Sequence, residues 1–391
     1  MEERREKRRN RRLVRLGAHR RYVSYILFGF VIVLALGSLI ARDRPFSDDE
    51  NRSLAQRPAI TWAGLRDGSF FGDYSSYLAD QFWGRDKWIS LDTFGIRLTG
   101  RHDVNGVFVG KDGYLFSPAD APDEAIRDRK AEAVNTFAEN HPELNLMAMV
   151  VPNSTAILDE QLPAHAPIRN QRSDIADAMS RLDSSIQVLD VSPALLEHKH
   201  EEIYYRTDHH WTSLGAYYAF LSAADRLGQG LAVPTFNVLT VTDSFQGTLA
   251  SKSGIHRTED AIQVYIPQST GVEYYVNYPD TQTRSTSMYV TSALEEKDKY
   301  TLFFGGNHPL VEIWTTADNT RNLLVFKDSY ANCFMQFLTS YYDKIIMIDP
   351  RYYYGDLKTT MTSYGITDVL FLYCADTWLT DTSLADVLAT G

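Results

Sequence analysis

The stretch NLLVFKDSYANCFMQFL, residues 322–338, joins the pattern of a buried strand to that of a helix. Residues 323–326 form a short apolar run, and residues 330–338 carry enough apolar side chains for a helix. A strand that leads through a short turn into a helix is typical of a parallel sheet covered by helices. Ser329 lies in this turn, so we expect its hydroxyl at the carboxyl edge of the sheet.

The same alternation recurs on both sides of this stretch. Helical stripes such as Val134, Phe137 and Ala138 alternate with apolar runs of strand length. Four further runs are LNLMAMVVP (144–152), IQVLDV (186–191), KIIMIDP (344–350) and ITDVLFLY (366–373). The pattern predicts an α/β fold with a mainly parallel sheet of about five strands and helices on both faces.

Residues 232–320 interrupt this rhythm. Segments such as VEYYVNYP (272–279) and STSMYVTS (285–292) are rich in strand-forming residues and separated by turn residues. We therefore predict a β-rich insertion of about 232–320, which carries substrate contacts.

The N-terminal region predicts a membrane anchor. YVSYILFGFVIVLALGSLIA, residues 22–41, is twenty positions without a charge, which is long enough for a transmembrane helix. The predicted organisation is a basic cytoplasmic tail (1–21), the anchor (22–41), a tether (42–65) and one extracytoplasmic domain (66–391). A cleaved signal peptide is the alternative, but the apolar run exceeds the usual ~7–15 residues of such a peptide and no small-x-small site closes it.

Charge is divided unevenly along the chain. Residues 1–21 carry ten Lys or Arg against three Glu, a net charge of +7, so the remaining residues carry −18 and the whole chain −11. The positive-inside rule places the basic tail in the cytoplasm, where it can contact anionic lipids, and the rest of the chain outside. An acidic exported domain repels phosphates, which argues against nucleic acid as a partner.

The cysteines and glycines give no sign of a cofactor. Cys333 and Cys374 lie in apolar surroundings and are expected to be buried free thiols. No zinc-type spacing of Cys and His occurs, and no Gly-rich nucleotide-binding loop is evident. We therefore predict neither metal nor cofactor.

RTDHHWTS, residues 206–213, holds the most distinctive polar cluster. The adjacent histidines could lie in a solvated turn or cap a helix, and a single metal could contact both only from a loop with distant further ligands. The third alternative is a general base, in which Asp208 orients His210. Residues 214–227 follow with a helical stripe, so the cluster lies in a loop before a helix, where side chains can converge on a cleft.

A base of this kind requires a nucleophile, and Ser329 is the candidate. Ser329 or Asp328 could instead simply cap the helix that follows. A hydroxyl nucleophile needs a base to remove its proton and an acid to orient that base, roles that Ser329, His210 and Asp208 could fill together.

The chain resembles the DHHW protein family, which is related to the SGNH-hydrolase-like alginate O-acetyltransferase proteins. The resemblance covers about residues 46–375 and rests on four segments. These are TDHHWT (207–212), the most specific, FSDDENRSLAQRPAIT (46–61), VFVGKDGYLF (107–116) and FKDSY (326–330). It implies an SGNH-hydrolase-like three-layer sandwich and acyl transfer on cell-surface glycans, with Asp208 as orienting acid, His210 as base and Ser329 as nucleophile.

The chain departs from ordinary SGNH hydrolases in two ways. The serine block follows the histidine block, as in the alginate proteins, and Lys327 occupies the position of the glycine in Gly-Asp-Ser. The second departure puts the oxyanion hole in doubt.

Candidates for that hole come from the serine turn and from FGGNHP (304–309). They are the N–H of Ser329 or Tyr330, the backbone at Gly306 and the side-chain amide of Asn307, although Gly-Gly-Asn can be merely a turn. Trp211 could stack on a sugar or pack beneath the following helix. His209 would be a neighbour of the triad without an assigned role.

The function expected from these residues is O-acyl transfer, specifically of acetyl groups, to an extracytoplasmic polysaccharide through an acyl-Ser329 intermediate. The implied partner is a multi-spanning membrane O-acyltransferase that supplies the acyl donor. A carbohydrate esterase or deacetylase with the same triad, and a non-catalytic glycan-binding surface protein, are the alternatives.

Overall fold

The computed structural model of the chain describes residues 2–47, 52–268 and 271–390, with side chains from residue 20 onward. Residues 48–51 of the predicted tether and 269–270 of the predicted β-rich segment lie outside the described residues. The chain divides into two units, Met1–Phe94 and Gly95–Gly391.

The first unit is mainly helical. Its elements are α1 (Glu2–Ile40), β1 (Phe46–Ser47), β2 (Arg52–Ser53), α2 (Trp62–Asp67), α3 (Ser69–Asp80) and α4 (Arg85–Leu98), the last of which ends beyond the unit's boundary. Within α1, Arg20–Ile40 is long and apolar enough to cross a membrane. This apolar helix is the one that the charge-free run predicts.

The second unit contains the remaining elements. Its strands are β3 (Asp103–Val104), β4 (Val107–Val109), β5 (Leu115–Phe116), β6 (Asn145–Val151), β7 (Ile186–Val188), β8 (Phe236–Phe245), β9 (Asp260–Pro267), β10 (Tyr274–Tyr278), β11 (Thr283–Ser285), β12 (Leu310–Thr315), β13 (Asn322–Lys327), β14 (Lys344–Ile348) and β15 (Asp368–Cys374). Its α-helices are α5 (Glu124–Asn140), α6 (Ser154–Ile157), α7 (Gln171–Met179), α8 (Ser192–Glu197), α9 (Ser213–Gly228), α10 (Thr248–Ser253), α11 (Tyr330–Phe334), α12 (Leu357–Tyr364), α13 (Ala375–Thr380) and α14 (Ser383–Leu388). Four 3₁₀ turns are also described, at Asp159–Gln161, Thr291–Glu295, Lys299–Leu302 and Met335–Phe337.

Eight of the described strands form one large sheet in the order β11-β10-β12-β14-β13-β15-β6-β7. All five predicted strands are present, and β14, β13, β15, β6 and β7 pair in parallel. The expected size of about five strands is too small, because β12, β10 and β11 extend the β14 edge in antiparallel pairing. Part of the β-rich segment therefore continues the main sheet, while β8 and β9 form a separate hairpin.

Two apolar layers cover the two faces of the sheet. Along β13, Leu323 and Val325 point into one buried cluster, which includes α9 and α11, whereas Leu324 and Phe326 point into a second cluster with α5, α7 and α12. Such alternation between two helical layers explains why all of β13 is buried. The three-layer α/β architecture is confirmed, and Cys333 and Cys374 are buried free thiols as predicted.

The loop that carries residues 206–210 is closed at its base. Tyr204 and Trp211 form an isolated antiparallel bridge, and the N–H of Thr212 donates to the Ile203 carbonyl at 3.0 Å. The Thr212 hydroxyl caps α9 by accepting from Gly215 N at 3.2 Å. Gly215 lets the two segments approach, since a Cβ at this position would lie 2.2 Å from the Ile203 oxygen.

Replacing Gly215 by alanine is therefore expected to push α9 away from the base of the loop. The clash with a backbone oxygen should lower the free energy of unfolding by about 1–3 kcal/mol, as overpacking does. Urea denaturation measures the effect, with Ser222→Ala on the exposed side of α9 as the control. Equal stability of Gly215→Ala and wild type would show that the loop and α9 are not in close contact.

Candidate active site

The turn between β13 and α11 leaves the hydroxyl of Ser329 available. Ser329 occupies the N-cap position of α11, yet among the described residues its side chain makes no capping hydrogen bond. Asp328 holds the turn instead, since its two carboxylate oxygens accept from Tyr330 N and Cys374 N, each at 2.9 Å. The capping role considered for Ser329 or Asp328 thus belongs to Asp328, and Ser329 is half-buried at the carboxyl edge of the sheet.

His210 connects Ser329 to Asp208. Its Nε2 lies 2.7 Å from Ser329 Oγ, and its Nδ1 lies 2.5 Å from Asp208 Oδ1. The three residues predicted to act together are therefore in hydrogen-bond contact, although Ser329 is 119 residues away from His210 in the chain. With Nδ1–H directed at the carboxylate, Nε2 of a neutral imidazole is free to accept the serine proton.

Asp208 is a buried carboxylate with several donors. Besides Nδ1 of His210, it accepts from His210 N at 3.0 Å and from the N–H and hydroxyl of Thr248 at 2.7 and 2.9 Å. Burial alone would raise its pKa, but the charges of His209 and His210 and these hydrogen bonds lower the pKa well below its ordinary range. Asp208 is therefore ionised and orients His210.

Glycine precedes Thr248 for a steric reason. A Cβ on Gly247 would lie 2.3 Å from the Asp208 Cβ, so only glycine lets this segment approach the carboxylate. The N–H of Gly247 also donates to the Thr207 hydroxyl at 3.0 Å, which in turn donates to Asp260 at 2.5 Å. The segment after β8 and the first residue of β9 thus hold the loop that carries His209 and His210.

Tyr300 is a site residue that sequence reasoning missed. Its ring stacks on the His210 imidazole with centroids 3.9 Å apart and planes inclined by 12°, and its hydroxyl donates to the Ser329 carbonyl at 3.0 Å. Tyr300 comes from a 3₁₀ turn in the β-rich segment, where no periodic pattern or motif marks it. It contacts both the histidine and the serine and restricts the orientation of each.

Trp211 packs beneath the site. It is fully buried, stacks on Phe334 and donates its Nε1–H to the Tyr330 carbonyl at 2.9 Å. Of the two alternatives for this residue, the structure shows the packing role, because no part of the ring is exposed to a sugar.

Two of the predicted oxyanion donors are already engaged. The N–H of Tyr330 donates to Asp328, and the N–H of Gly306 donates to the Phe303 carbonyl at 3.2 Å within a turn of left-handed residues. Among the described residues, the N–H of Ser329 has no acceptor. The donors left for an oxyanion are therefore Ser329 N–H and the Asn307 amide.

Lys327, which replaces the expected glycine, orients that amide. Its buried Nζ donates to Asn307 Oδ1 at 3.1 Å and to Asn332 Oδ1 at 2.9 Å, and lies 3.6 Å from Asp349. Burial lowers the pKa of Lys327 to about 8. Since a lysine can only donate, the Asn307 oxygen must face it, and the Asn307 NH₂ group is turned away as a free donor.

His209 lies beside the triad with a partner of its own. Its Nδ1 is 2.8 Å from Thr248 Oγ1, and its ring centroid is 3.9 Å from that of His210. Ligand atoms of Asp208, His209 and His210 all lie within 4.8 Å of one another, close enough for a metal ion.

The electrostatics of Asp208 predict a pH-dependent stability. Because its folded-state pKa lies below the ordinary 3.8, its ionised form stabilises the fold above that value, and this contribution is lost as the pH falls below it. Asp208→Asn should therefore lower the urea midpoint at pH 7, with a smaller difference from wild type at pH 3. Asp225→Asn, an exposed carboxylate on α9, is the control, and an equal deficit at both pH values would contradict the ionised assignment.

Comparison with solved structures found proteins of similar fold. No match was found among curated proteins. A DHHW family protein from Eubacterium siraeum shares 29% identity and a TM-score of 0.62, covering 72% of this chain and 95% of that chain. Bacillus cereus PatB1 with a sulfonyl adduct shares 17% identity and a TM-score of 0.58, covering 71% and 98%. The O-acetyltransferase domain of Pseudomonas putida AlgJ shares 15% identity and a TM-score of 0.47, covering 73% and 100%.

These comparisons settle the fold and the family. The predicted α/β fold, with a mainly parallel sheet and an apolar N-terminal helix, is confirmed. The DHHW protein model matches residues 109–348, which is more than half of the chain and includes both Asp208-x-His210 and Ser329. The chain therefore belongs to the DHHW protein family.

Proposed function

We propose that this chain is an O-acyltransferase that moves acetyl groups to hydroxyls of an extracytoplasmic cell-surface polysaccharide. The observation that carries the proposal is the continuous contact from Asp208 through His210 to Ser329. A buried ionised acid, a histidine with a free Nε2 and a serine hydroxyl that caps no helix are the parts that acyl transfer requires.

In the first half-reaction, Ser329 Oγ attacks the carbonyl carbon of the acyl donor while His210 Nε2 takes the hydroxyl proton. The charge that develops on His210 is stabilised by Asp208, whose four hydrogen bonds hold it in place. Breakdown of the tetrahedral intermediate breaks the bond to the leaving group, which receives the proton from His210, and leaves acyl-Ser329.

The oxyanion of the intermediate needs donors that are fixed in advance. We assign this role to the N–H of Ser329 and the side-chain amide of Asn307. The contact between Lys327 Nζ and Asn307 Oδ1 supports a fixed orientation of this amide. Donors held in this way require no reorganisation when charge develops, which is the main source of electrostatic catalysis.

In the second half-reaction, a sugar hydroxyl attacks acyl-Ser329 and His210 takes its proton. Water in the same place would make the chain a carbohydrate esterase. The apolar helix at Arg20–Ile40 favours a domain held at the outer face of the membrane, beside a multi-spanning acyltransferase that supplies the donor. No further cofactor is required for either half-reaction.

Exposed aromatic side chains favour a glycan as acceptor. Tyr352 and Tyr354 follow β14 and are 46% and 96% exposed. Because β14 is parallel to β13, they leave the sheet at the same edge as Ser329. Aromatic faces at this edge can pack against sugar rings next to the nucleophile.

The acyl-serine intermediate gives the decisive test. After incubation of the detergent-solubilised chain with 4-nitrophenyl acetate, mass spectrometry should find an acetyl group on Ser329. Ser329→Ala should lose it and lower acyl transfer by ~10³-fold or more. Ser222→Ala is the matched control.

The fate of the acetyl group distinguishes the alternatives. Acetylated polysaccharide supports transfer, whereas free acetate alone supports the esterase. Unchanged glycan acetylation in cells that contain normal amounts of the Ser329→Ala protein would refute the triad and favour a non-catalytic glycan-binding role.

Removing the Tyr354 ring tests the glycan surface. Tyr354→Ala should lower kcat/KM for polysaccharide acetylation by ~3–10-fold, as expected for loss of one aromatic contact. Hydrolysis of 4-nitrophenyl acetate, which contains no sugar, should change less than about twofold. Leu221→Ala, an exposed apolar residue on α9, is the control, and equal losses with both substrates would argue against a glycan contact.

A further inference from the structure

One polar ring at the site has no part in the triad. The side chain of His209 is 40% exposed, whereas that of the adjacent His210 is 7% exposed. The Tyr330 hydroxyl holds the His209 backbone by donating to its carbonyl at 2.5 Å. His209 is thus held at its backbone, and its partly exposed imidazole lies beside the ring of His210.

The hydrogen bonds around Thr248 determine which nitrogen of His209 carries the proton. Thr248 Oγ1 has one hydrogen, and it is donated to Asp208 Oδ2 at 2.9 Å, because an ionised carboxylate only accepts. At its contact with His209 Nδ1, 2.8 Å away, Thr248 Oγ1 must therefore accept. Nδ1 of His209 carries a hydrogen.

The second nitrogen of His209 is consequently an acceptor when the ring is neutral. Burial of part of the ring, and then the charge of His210, lower the pKa of His209 to about 4, against the opposing charges of Asp208 and Asp328. Arg351 lowers it further. At neutral pH, Nε2 therefore presents a lone pair, and no described residue donates to it.

We propose that His209 Nε2 accepts a hydrogen bond from a second hydroxyl of the acceptor, adjacent to the hydroxyl that is acylated. The acceptor is thus a vicinal diol, as in a sugar ring with neighbouring free hydroxyls. This inference rests on the proposed transferase function and deepens it by naming the acceptor's chemistry. The rings of His209 and His210 lie 3.9 Å apart, close enough to engage neighbouring oxygens of one ring.

The reaction step follows from these two contacts. The first hydroxyl oxygen forms a bond to the carbonyl carbon of acetyl-Ser329, and His210 Nε2 takes its proton. The bond from that carbon to Ser329 Oγ then breaks, and Oγ recovers the proton from His210. The second hydroxyl only donates its hydrogen bond to His209 and is unchanged, so it favours a diol over water or an isolated alcohol.

A competition between two small alcohols tests the inference. Acetyl-Ser329 is formed with 4-nitrophenyl acetate in the full-length detergent-solubilised protein, in the presence of equal concentrations of trans-1,2-cyclohexanediol and cyclohexanol. Gas chromatography of the two acetate esters gives their ratio. Both esters come from one acyl-enzyme, so the ratio does not depend on the amount of active protein.

Wild type should favour the diol, and His209→Phe, which keeps a ring beside His210 but has no acceptor, should lower that preference by ~5–10-fold, as loss of one hydrogen bond predicts. His209→Gln, which retains an acceptor in its amide oxygen, should retain part of the preference and serves if the Phe variant folds poorly. An unchanged diol preference in both variants would overturn the role of His209 alone. Acetyl-Ser329 that yields only acetate and neither ester would overturn the transferase proposal instead.

Discussion

The site depends on one buried anion. Asp208 is removed from solvent, and a carboxylate in that position is stable only if donors surround it. Its donors come from two segments: His210, on its own loop, and Thr248, at the start of α10 between β8 and β9. Satisfying the charge therefore fixes the imidazole and attaches the hairpin to the loop in a single arrangement. Loss of the carboxylate affects both, which is why geometry and stability are linked at this residue.

A second carboxylate, that of Asp328, holds the turn at the start of α11 and leaves the Ser329 hydroxyl available. Asp328 accepts from Tyr330 N and from Cys374 N, and so joins the serine turn to the end of the neighbouring strand β15. Since Asp328 satisfies the start of α11, the adjacent serine hydroxyl is left for His210. Lys327, on the other side, lies buried among Asn307, Asn332 and Asp349. Three consecutive residues thus differ in their contacts: Lys327 donates to the Asn307 side chain, Asp328 holds the turn, and the Ser329 hydroxyl contacts His210.

The sequence predicts the parts of this arrangement that are local. Each parallel strand is an apolar run of a few residues, and Asp208 and His210 are two positions apart, so pattern and spacing indicate them directly. Tyr300 and Thr248 could not be predicted, because their contacts with His210 and Asp208 arise only when a segment without a periodic pattern folds onto the loop. The antiparallel extension of the sheet by β10–β12 escaped prediction for a related reason. Their alternating residues fit a separate β unit equally well, and only pairing with β14 decides between the two.

The doubled histidine depends on the loop that carries it. In a strand, adjacent side chains point to opposite faces, and in a helix they diverge by about 100°. Neither geometry would place the rings of His209 and His210 side by side. The bend between Tyr204 and Trp211 does so, and it simultaneously directs Trp211 into the core. Both imidazoles then depend on the same carboxylate, His210 directly and His209 through the Thr248 hydroxyl. The Asp208 carboxylate therefore fixes the proton position on both rings, and its loss would alter both, whereas loss of the Thr248 hydroxyl would remove the partner of His209 alone.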